Sequence, residues 1–370
     1  MSRKQFRSVL AIGTCLVCAW PASSAAQETF FKGKAIRMIV GLAPGGGYDT
    51  YSRLIARHMG KHIPGNPTIV VENMDGAGSI IAANHIFKVA KPDGLTIGHV
   101  LGGLFLQQLL GKAGIEFDAA KFEYIGVPAQ DNFMVGVSKA TGITNVEKWI
   151  ASKTTIKFGG VTPGGATDDL PKVLAVTLGL PLQVVTGYKG TGPIRLAFNS
   201  GEVQGVCNAW ESFKATWRQE VESGDVVMVL QATVKAHPEL PNIPVAFNLA
   251  KTEEAKNLIQ VVARVNGPST RPYLLPPGTP KERVAILRKA FTDTMRDPEF
   301  LAEAKKAKLD INPDDGAGLE RNVRDIFKLD PPLVAKLKEI LKQNFSNTCL
   351  VIANIQGGVR LVALELGRLF

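Results

Sequence analysis

The chain has 370 residues, 45% hydrophobic and 21% charged, which is enough apolar material for a core and too long for one small domain, so two domains are expected. The formal net charge is +10, but basic and acidic residues interleave and no block of five like charges occurs, which argues against a nucleic-acid partner. A diffuse positive field favours small anionic ligands and serves solubility equally well.

Residues 1–26 stand apart. "MSRKQFR" is basic, "SVLAIGTCLVCAW" (Ser8 to Trp20) is apolar, and "PASSAAQ" offers a small-residue cleavage site after Ala26, the order of a secretory signal. A membrane anchor needs about 20 apolar residues, and this run is shorter. A lipoprotein signal wants a small residue directly before the cysteine, whereas Thr14 precedes Cys15 and Val17 precedes Cys18. A soluble exported protein is expected. Its removal takes away Arg3, Lys4 and Arg7 and no acid, leaving +7. It also leaves Cys207 and Cys349 as the mature thiols. Export permits a disulfide between them, but their spacing does not demand one, and a buried free Cys207 is the expectation.

Lys34 to Leu42, "KAIRMIVGL", is a β-rich run that leads into "APGGGYD". Beyond it Tyr51, Leu54, Ile55, His58, Met59 and His62 share one side of a helix that "PGNP" ends. "TIVVEN" (Thr68 to Asn73) is a second strand, "MDGAGS" a second glycine loop opening a helix over 79–90, and "LTIGHV" a third strand. Strand alternating with helix is the pattern of a parallel α/β sheet. The same order restarts at "IKFGGV" (Ile156 to Val161), followed by "TPGGATDD" and a helix through Leu178. "LQVVTGY" then leads into "KGTGP" and another helix, and 203–210 and 225–232 are further strands. A proline-rich passage, His237 to Val245, breaks this pattern. "RPYLLPPGTP" precedes a helix over 281–295, and a final helix lies near 332–342.

In a strand–loop–helix unit the first helical N–H groups lack partners and the helix dipole adds partial positive charge, so that end attracts anions. Glycines let a ligand reach the backbone. A P-loop would need Gly-Lys-Ser/Thr, but Tyr48 and Asp49 follow Gly47; a dinucleotide fingerprint would need a third spaced glycine, and none follows before Gly60. A smaller anion such as a carboxylate remains, beside the plain reading of a tight turn. Four such loops, 45–49, 75–79, 162–167 and 189–193, each follow a predicted strand, where open α/β sheets place ligands. They argue for one cleft between two domains.

Three segments carry a resemblance: "IRMIVGLAPGGGYDTYSRLIARHM", "IVVENMDGAGSIIAANHIFKVAKPDGLTIG" and "GYKGTGPIRLAFNSGEVQGVCNAWES". In order and spacing, from about Lys34 to Leu341, the chain resembles the Bug, or TctC-type, solute receptors of tripartite tricarboxylate transporters. The resemblance implies a type 2 periplasmic binding protein fold of two α/β domains with two chain crossovers, closing on a small organic carboxylate. It implies a periplasmic monomer that hands its ligand to membrane transporter subunits, with no cofactor and no metal. The implied division is 27–130 and 237–343 for the first domain and 131–236 for the second.

Carried over by position, the implied ligand-binding residues are Ala43, Pro44, Gly45, Gly46, Gly47, Tyr48 and Asp49 in the first loop, with Gly76, Ala77, Gly78 and Ser79 nearby. In the second domain they are Thr162, Gly164, Gly165, Thr167, Tyr188, Lys189, Gly190, Thr191 and Asn208. Asp49 is expected to cap its helix and hold the loop amides. Where the family often has Ser-His, this chain has Asp168 and Asp169, tolerable near an anion only if they point away or cap the helix. "YIGVPAQDNF" lacks the proline expected near Asn132 or Phe133. The tail 344–370 lies past the family's usual end; a reading-frame artefact is favoured over an oligomer contact or a membrane-surface helix.

Other candidates yield to plainer readings. His58 and His62 have a zinc-compatible spacing but no motif glutamate and no third ligand close in sequence, so a solvated helix flank is expected. No Gly-x-Ser-x-Gly elbow occurs, and Cys207 has no neighbouring histidine. Tyr48, Tyr188 and Trp210 suit cleft walls or core alike, and Lys189 could counter an anion. An exported enzyme for an acidic substrate and a sensor for a membrane kinase are the rival functions.

Overall fold

The computed structural model describes residues 30–342. The expected signal segment, the tail from 344 and Cys349 lie outside the described residues.

The first half runs β1 (Ala35–Val40), α1 (Gly47–Met59), β2 (Thr68–Asn73), α2 (Ile80–Lys88), β3 (Thr96–His99), α3 (Leu104–Leu109) and β4 (Glu123–Val127). The chain then crosses into β5 (Phe133–Ser138), α4 (Val146–Ser152), β6 (Ile156–Gly160), α5 (Ala166–Leu178), β7 (Leu182–Thr186), α6 (Thr191–Asn199) and β8 (Gly205–Ala209). α7 (Trp210–Thr216), α8 (Arg218–Glu222), β9 (Val226–Gln231), α9 (Ala246–Leu249) and α10 (Glu253–Asn266) follow. It returns through β10 (Tyr273–Leu275), α11 (Lys281–Arg296), α12 (Pro298–Lys306), β11 (Asp314–Asp315), α13 (Gly316–Ile326) and α14 (Pro331–Lys342).

Two sheets result, one ordered β11-β4-β10-β3-β1-β2 and the other β7-β6-β8-β5-β9. β1 pairs in parallel with β2 and β3, and β6 with β7 and β8, so the loops after β1 and β6 leave the ends of neighbouring parallel strands. Both faces of the first sheet are covered. Ile36 and Met38 of β1 join Leu54, Leu287, Phe291 and Phe300 on one face. On the other, Ile39 packs with Ile86 in a core that continues through Leu101, Leu104 and Phe133 into the second domain. Cys207 of β8 is fully buried and has no disulfide partner among the described residues.

The chain rejoins the first sheet at β10, so the stretch between Asn266 and Tyr273 is the second crossing between the sheets. The proline-rich passage remains a loop of the second domain: Gln231 Nε2 donates to the carbonyls of Leu240 and Ile243, and Gln231 bridges to Val245. α10 then packs on α5, burying Leu258, Ile259 and Val262. An amphipathic helix needs an apolar partner, and α5 offers one before the chain can leave. α14 also returns to α5.

The His58 and His62 flank is an interhelical contact rather than a solvated face. α12 brings Glu303 to 2.6 Å from His58 Nε2 and Asp297 to 2.8 Å from His62 Nε2. Carboxylates therefore stand where the sequence shows no third ligand, with Asp297 and Glu299 beside His58. Lys61 Nζ, at 2.7 Å from Asp297 and 2.6 Å from Glu299, already fills the role of cation there.

Asp297 also caps α12 by accepting from the N–H groups of Glu299 (2.8 Å) and Phe300 (3.3 Å). The Lys61 ammonium foremost, then His62 and the two N–H groups, holds its carboxyl well below the usual carboxylate range. A carboxylate with a depressed folded-state pKa adds stability above its unfolded-state pKa and loses it as the pH falls through the folded-state value. Asp297→Ala should cost about 1 kcal/mol near neutral pH, a typical cap loss. Urea denaturation should show the difference from the parent shrinking in acid.

Candidate functional site

The two sheets face each other across a cavity of ≈ 40 Å³. A single water needs about 10–15 Å³ by the same measure, so the cleft has room for a small molecule. Three helices begin on it: Gly46, Gly47 and Tyr48 open α1, Gly165, Ala166 and Thr167 open α5, and Gly190 and Thr191 open α6. Their N-cap residues are Gly46, Gly165 and Gly190, and none receives a side-chain cap. Elsewhere Asn145, Thr252, Asp297 and Asp315 cap α4, α10, α12 and α13, while α2, α3, α8, α9 and α11 also start without a side-chain cap. The cleft helices thus keep uncapped, dipole-enhanced amide ends toward the cavity.

These ends face one another. A Cβ placed on Gly46 would stand 3.1 Å from Thr191 Oγ1 and 3.7 Å from Thr191 N, so α1 and α6 meet with their positive ends together. A full positive charge joins them. Arg271, on the second crossing, is 2% exposed at its side chain and lines the cavity with Asp131 of the first crossing. Its Nε donates to Asp131 Oδ1 at 2.8 Å and its Nη2 to Ser212 Oγ at 2.9 Å. Tyr48 and Tyr51 flank the guanidinium, with ring centres 4.9 and 4.8 Å away. A Cβ on Gly47 would lie 2.5 Å from Ser212 Oγ and 3.0 Å from Arg271 Nη1, so only glycine lets this charge sit against the first turn of α1.

Four buried polar atoms on the cavity's lining residues have no hydrogen-bond partner among the described residues: Arg271 Nη1, Asp131 Oδ2, Asn208 Nδ2 and Thr270 Oγ1. Unpaired buried polar groups are costly, and positive helix ends packed against a guanidinium add repulsion. An anion received there offsets the positive charge and suits the donors among these atoms, but not the acceptor Asp131 Oδ2.

Residues 52–339 match the family model of the tripartite tricarboxylate transporter family receptor. This chain belongs to that receptor family. A UPF0065 protein of Cupriavidus necator is 26% identical over 328 residues, 85% of this chain and 90% of its own. Among solved structures, the periplasmic binding protein BugD superposes with a TM-score of 0.68 at 22% identity, over 84% of this receptor and 98% of BugD. The R. palustris protein Rpa4515, solved with adipate, gives 0.66 at 20% identity, over 83% and 98%. These likenesses establish the periplasmic binding protein fold. The family is one of receptors, not enzymes.

Of the residues expected from sequence to bind ligand, this receptor brings Ala43, Gly46, Gly47, Tyr48, Gly165, Thr167, Gly190, Thr191 and Asn208 to the cavity wall. Pro44, Gly45, Asp49, Gly76, Ala77, Gly78, Ser79, Thr162, Gly164, Tyr188 and Lys189 stand outside it, and several have structural work instead. Asp49 Oδ2 accepts from Gly45 N (3.1 Å) and is braced by Arg53 and Asn73, which holds the loop as expected, though not by an N-cap bond. Gly78, at φ 61°, touches Thr162 so closely that a Cβ would fall 1.9 Å from its methyl, and Ser79 Oγ accepts from Leu101 N. Lys189 points outward: its side chain is 75% exposed and pairs with Asp75 at 3.4 Å, while its carbonyl accepts from Ala43 N across the cleft. Arg271, and not Lys189, lines the cavity. Tyr188 reaches Glu202, and Trp210 donates to Glu239 at 2.9 Å, so of the three aromatic candidates only Tyr48 lines the cavity.

Asp168 and Asp169 point away from the cavity. Thr186 Oγ1 donates to Asp168 at 2.5 Å; Asp169 accepts from Gly164 N at 3.0 Å and, across the cleft, from Gln107 Nε2 at 3.1 Å. Sequence reading missed Asp131, Ser212, Thr270 and Arg271, because they come from the crossings and from α7, away from any glycine loop.

Burial pushes the Asp169 carboxyl up to about 7, with Asp168 adding to the rise. The folded chain then holds a proton between about pH 4 and about pH 7 that the unfolded chain has released, so stability declines as pH rises through that window. Asp169→Asn, with Gln107 turning its amide, should flatten that decline. Urea midpoints of parent and variant at about pH 5 and about pH 8 measure it.

Proposed function

We propose that this protein is an extracytoplasmic receptor that binds a small organic carboxylate in the interdomain cleft. It closes on that ligand and delivers it, from the periplasm and as a monomer, to the membrane subunits of a tripartite transporter. The observation that carries this reading is the convergence of three uncapped helix N-termini and the buried Arg271 side chain on one cavity. Adipate in the related R. palustris structure is in keeping with a carboxylate, and among the described residues no helix is long and apolar enough to cross a membrane.

Closure has identifiable parts. Ala43 N donates to Lys189 O, Gln107 to Asp169, and Lys189 pairs with Asp75, all between domains. A ligand held by both sets of loops adds differential contacts to these and shifts the population toward closure. The N–H groups opening α1 come from the first domain, those opening α5 and α6 from the second, and one carboxylate held by both sets bridges them.

A thermal-shift screen against small carboxylates and amino acids tests the reading, since a ligand that binds only the folded state raises the melting temperature. A saturable rise is expected. Gly46→Val is the local check: Gly46 is extended (φ −96°, ψ 175°), a backbone valine adopts readily, while its side chain would push into Thr191 and cover the amides. The folded variant should lose at least tenfold in affinity by titration calorimetry, about 1.4 kcal/mol. Unchanged affinity would remove the glycine loop from the site.

A further inference from the structure

The end of α1 opposite the cleft carries a cluster of metal-ligating groups that the receptor reading does not use. His58 stands in the last turn of α1, and His62 in the short 3₁₀ turn that continues it (Gly60–His62). A spacing of four brings two imidazoles to one side of a helix, the arrangement by which a single helix offers two nitrogen ligands to one ion. From Gly47 at the cavity to His58 the helix rises about 16 Å, so the cluster is separate from the cleft.

α12 supplies what the sequence around the histidines lacks. His58 Nε2 lies 2.6 Å from Glu303 Oε2, and His62 Nε2 2.8 Å from Asp297 Oδ2. One ligand atom each from His58, Asp297 and Glu299 falls within 4.8 Å of the other two. Nitrogen and oxygen ligands of one tetrahedral zinc ion stand about 3.3 Å apart, so the histidine–carboxylate contacts need to open by less than about 1 Å to admit it. Two of the groups are already held in place from outside the cluster. Asp297 Oδ1 accepts from the N–H groups of Glu299 and Phe300, which leaves Oδ2 toward His62 and Lys61. The His58 ring stands edge-on to Phe300, with ring centres 5.8 Å apart. Outer contacts of this kind orient metal ligands.

We propose that His58, His62, Asp297 and Glu299 form a site for a late first-row divalent metal ion such as zinc, which clamps the end of α1 to α12. Mixed imidazole and carboxylate donors suit zinc, copper or nickel, whereas magnesium and calcium take oxygen ligands. Lys61 is the competitor. Its ammonium bridges Asp297 and Glu299 at 2.7 and 2.6 Å, but its side chain is 40% exposed and that of Glu299 77%, so water screens the contact and the lysine leaves at small cost. Three carboxylates, Asp297, Glu299 and Glu303, face two full cations there, Lys61 and Arg57, which leaves negative charge for a divalent ion to neutralise.

Titration calorimetry with zinc chloride, on purified protein freed of metal by a chelator, tests the site. The parent should bind zinc saturably, leave magnesium and calcium unbound at the same concentrations, and melt at a higher temperature with zinc present. His62→Gln and Asp297→Asn, which keep a polar side chain in place, should each weaken zinc binding at least tenfold. Lys61→Met removes the competing ammonium and should strengthen it at least threefold, a gain that a damaged fold does not produce. The proposal is overturned if the folded parent binds no zinc, or if His62→Gln, Asp297→Asn and Lys61→Met all leave zinc binding unchanged. Magnesium bound as tightly as zinc overturns it too. The parent titration and Lys61→Met decide the matter even if the other variants do not fold.

Discussion

A guanidinium buried where the two interdomain crossings meet is the constraint around which the cleft is organised. Arg271 lies on one crossing and Asp131 on the other, and Asp131 N also donates to the carbonyl of Gly267 at 3.2 Å. Taking such a charge out of water is expensive unless it is paired, so the Asp131 contact is a condition of the fold and not an ornament on it. The pair leaves Arg271 Nη1 without a partner among the described residues, and both Arg271 and Asp131 line the cavity.

The surroundings answer to the same charge. Gly47 must lack a side chain for Arg271 to lie against α1. Tyr48 and Tyr51 offer ring faces to the guanidinium, and Tyr48 donates to the carbonyl of Thr270 beside it. Behind Tyr48, His99 stacks between Tyr48 and Tyr273 and shares Ser52 with Tyr273. Burial, reinforced by the Arg271 charge, keeps His99 well below its ordinary pKa, so it stays neutral. The result is a rigid wall with one strong cation, which the helix ends extend.

Much of this was legible in advance. The alternation of strand and helix, the glycine loops at strand ends and the three segments of family resemblance pointed to two α/β domains around a cleft. Nine of the expected ligand residues line the cavity. Those that do not are informative. Loop 75–79 has the same glycine spelling as the loops that line the cavity, yet Gly78 is there to let Thr162 of the other domain come close. A glycine reports that something approaches the backbone, and local sequence does not say whether it is a ligand or the protein itself. The proline-rich passage likewise marked a break in pattern, but a loop within a domain and a linker between domains share that composition.

Local residue patterns determined what depends on neighbours in the chain: strand and helix identity, the turns between them, and helix starts without side-chain caps. The tertiary structure alone decided which groups share the cavity and with what charge. Asp131 and Arg271 are 140 residues apart, and neither lies in a motif. Their importance comes from being buried together. Burial is a property of the packed chain, because the free energy of a charge is set by the water it loses and the partner it gains, and folding fixes both.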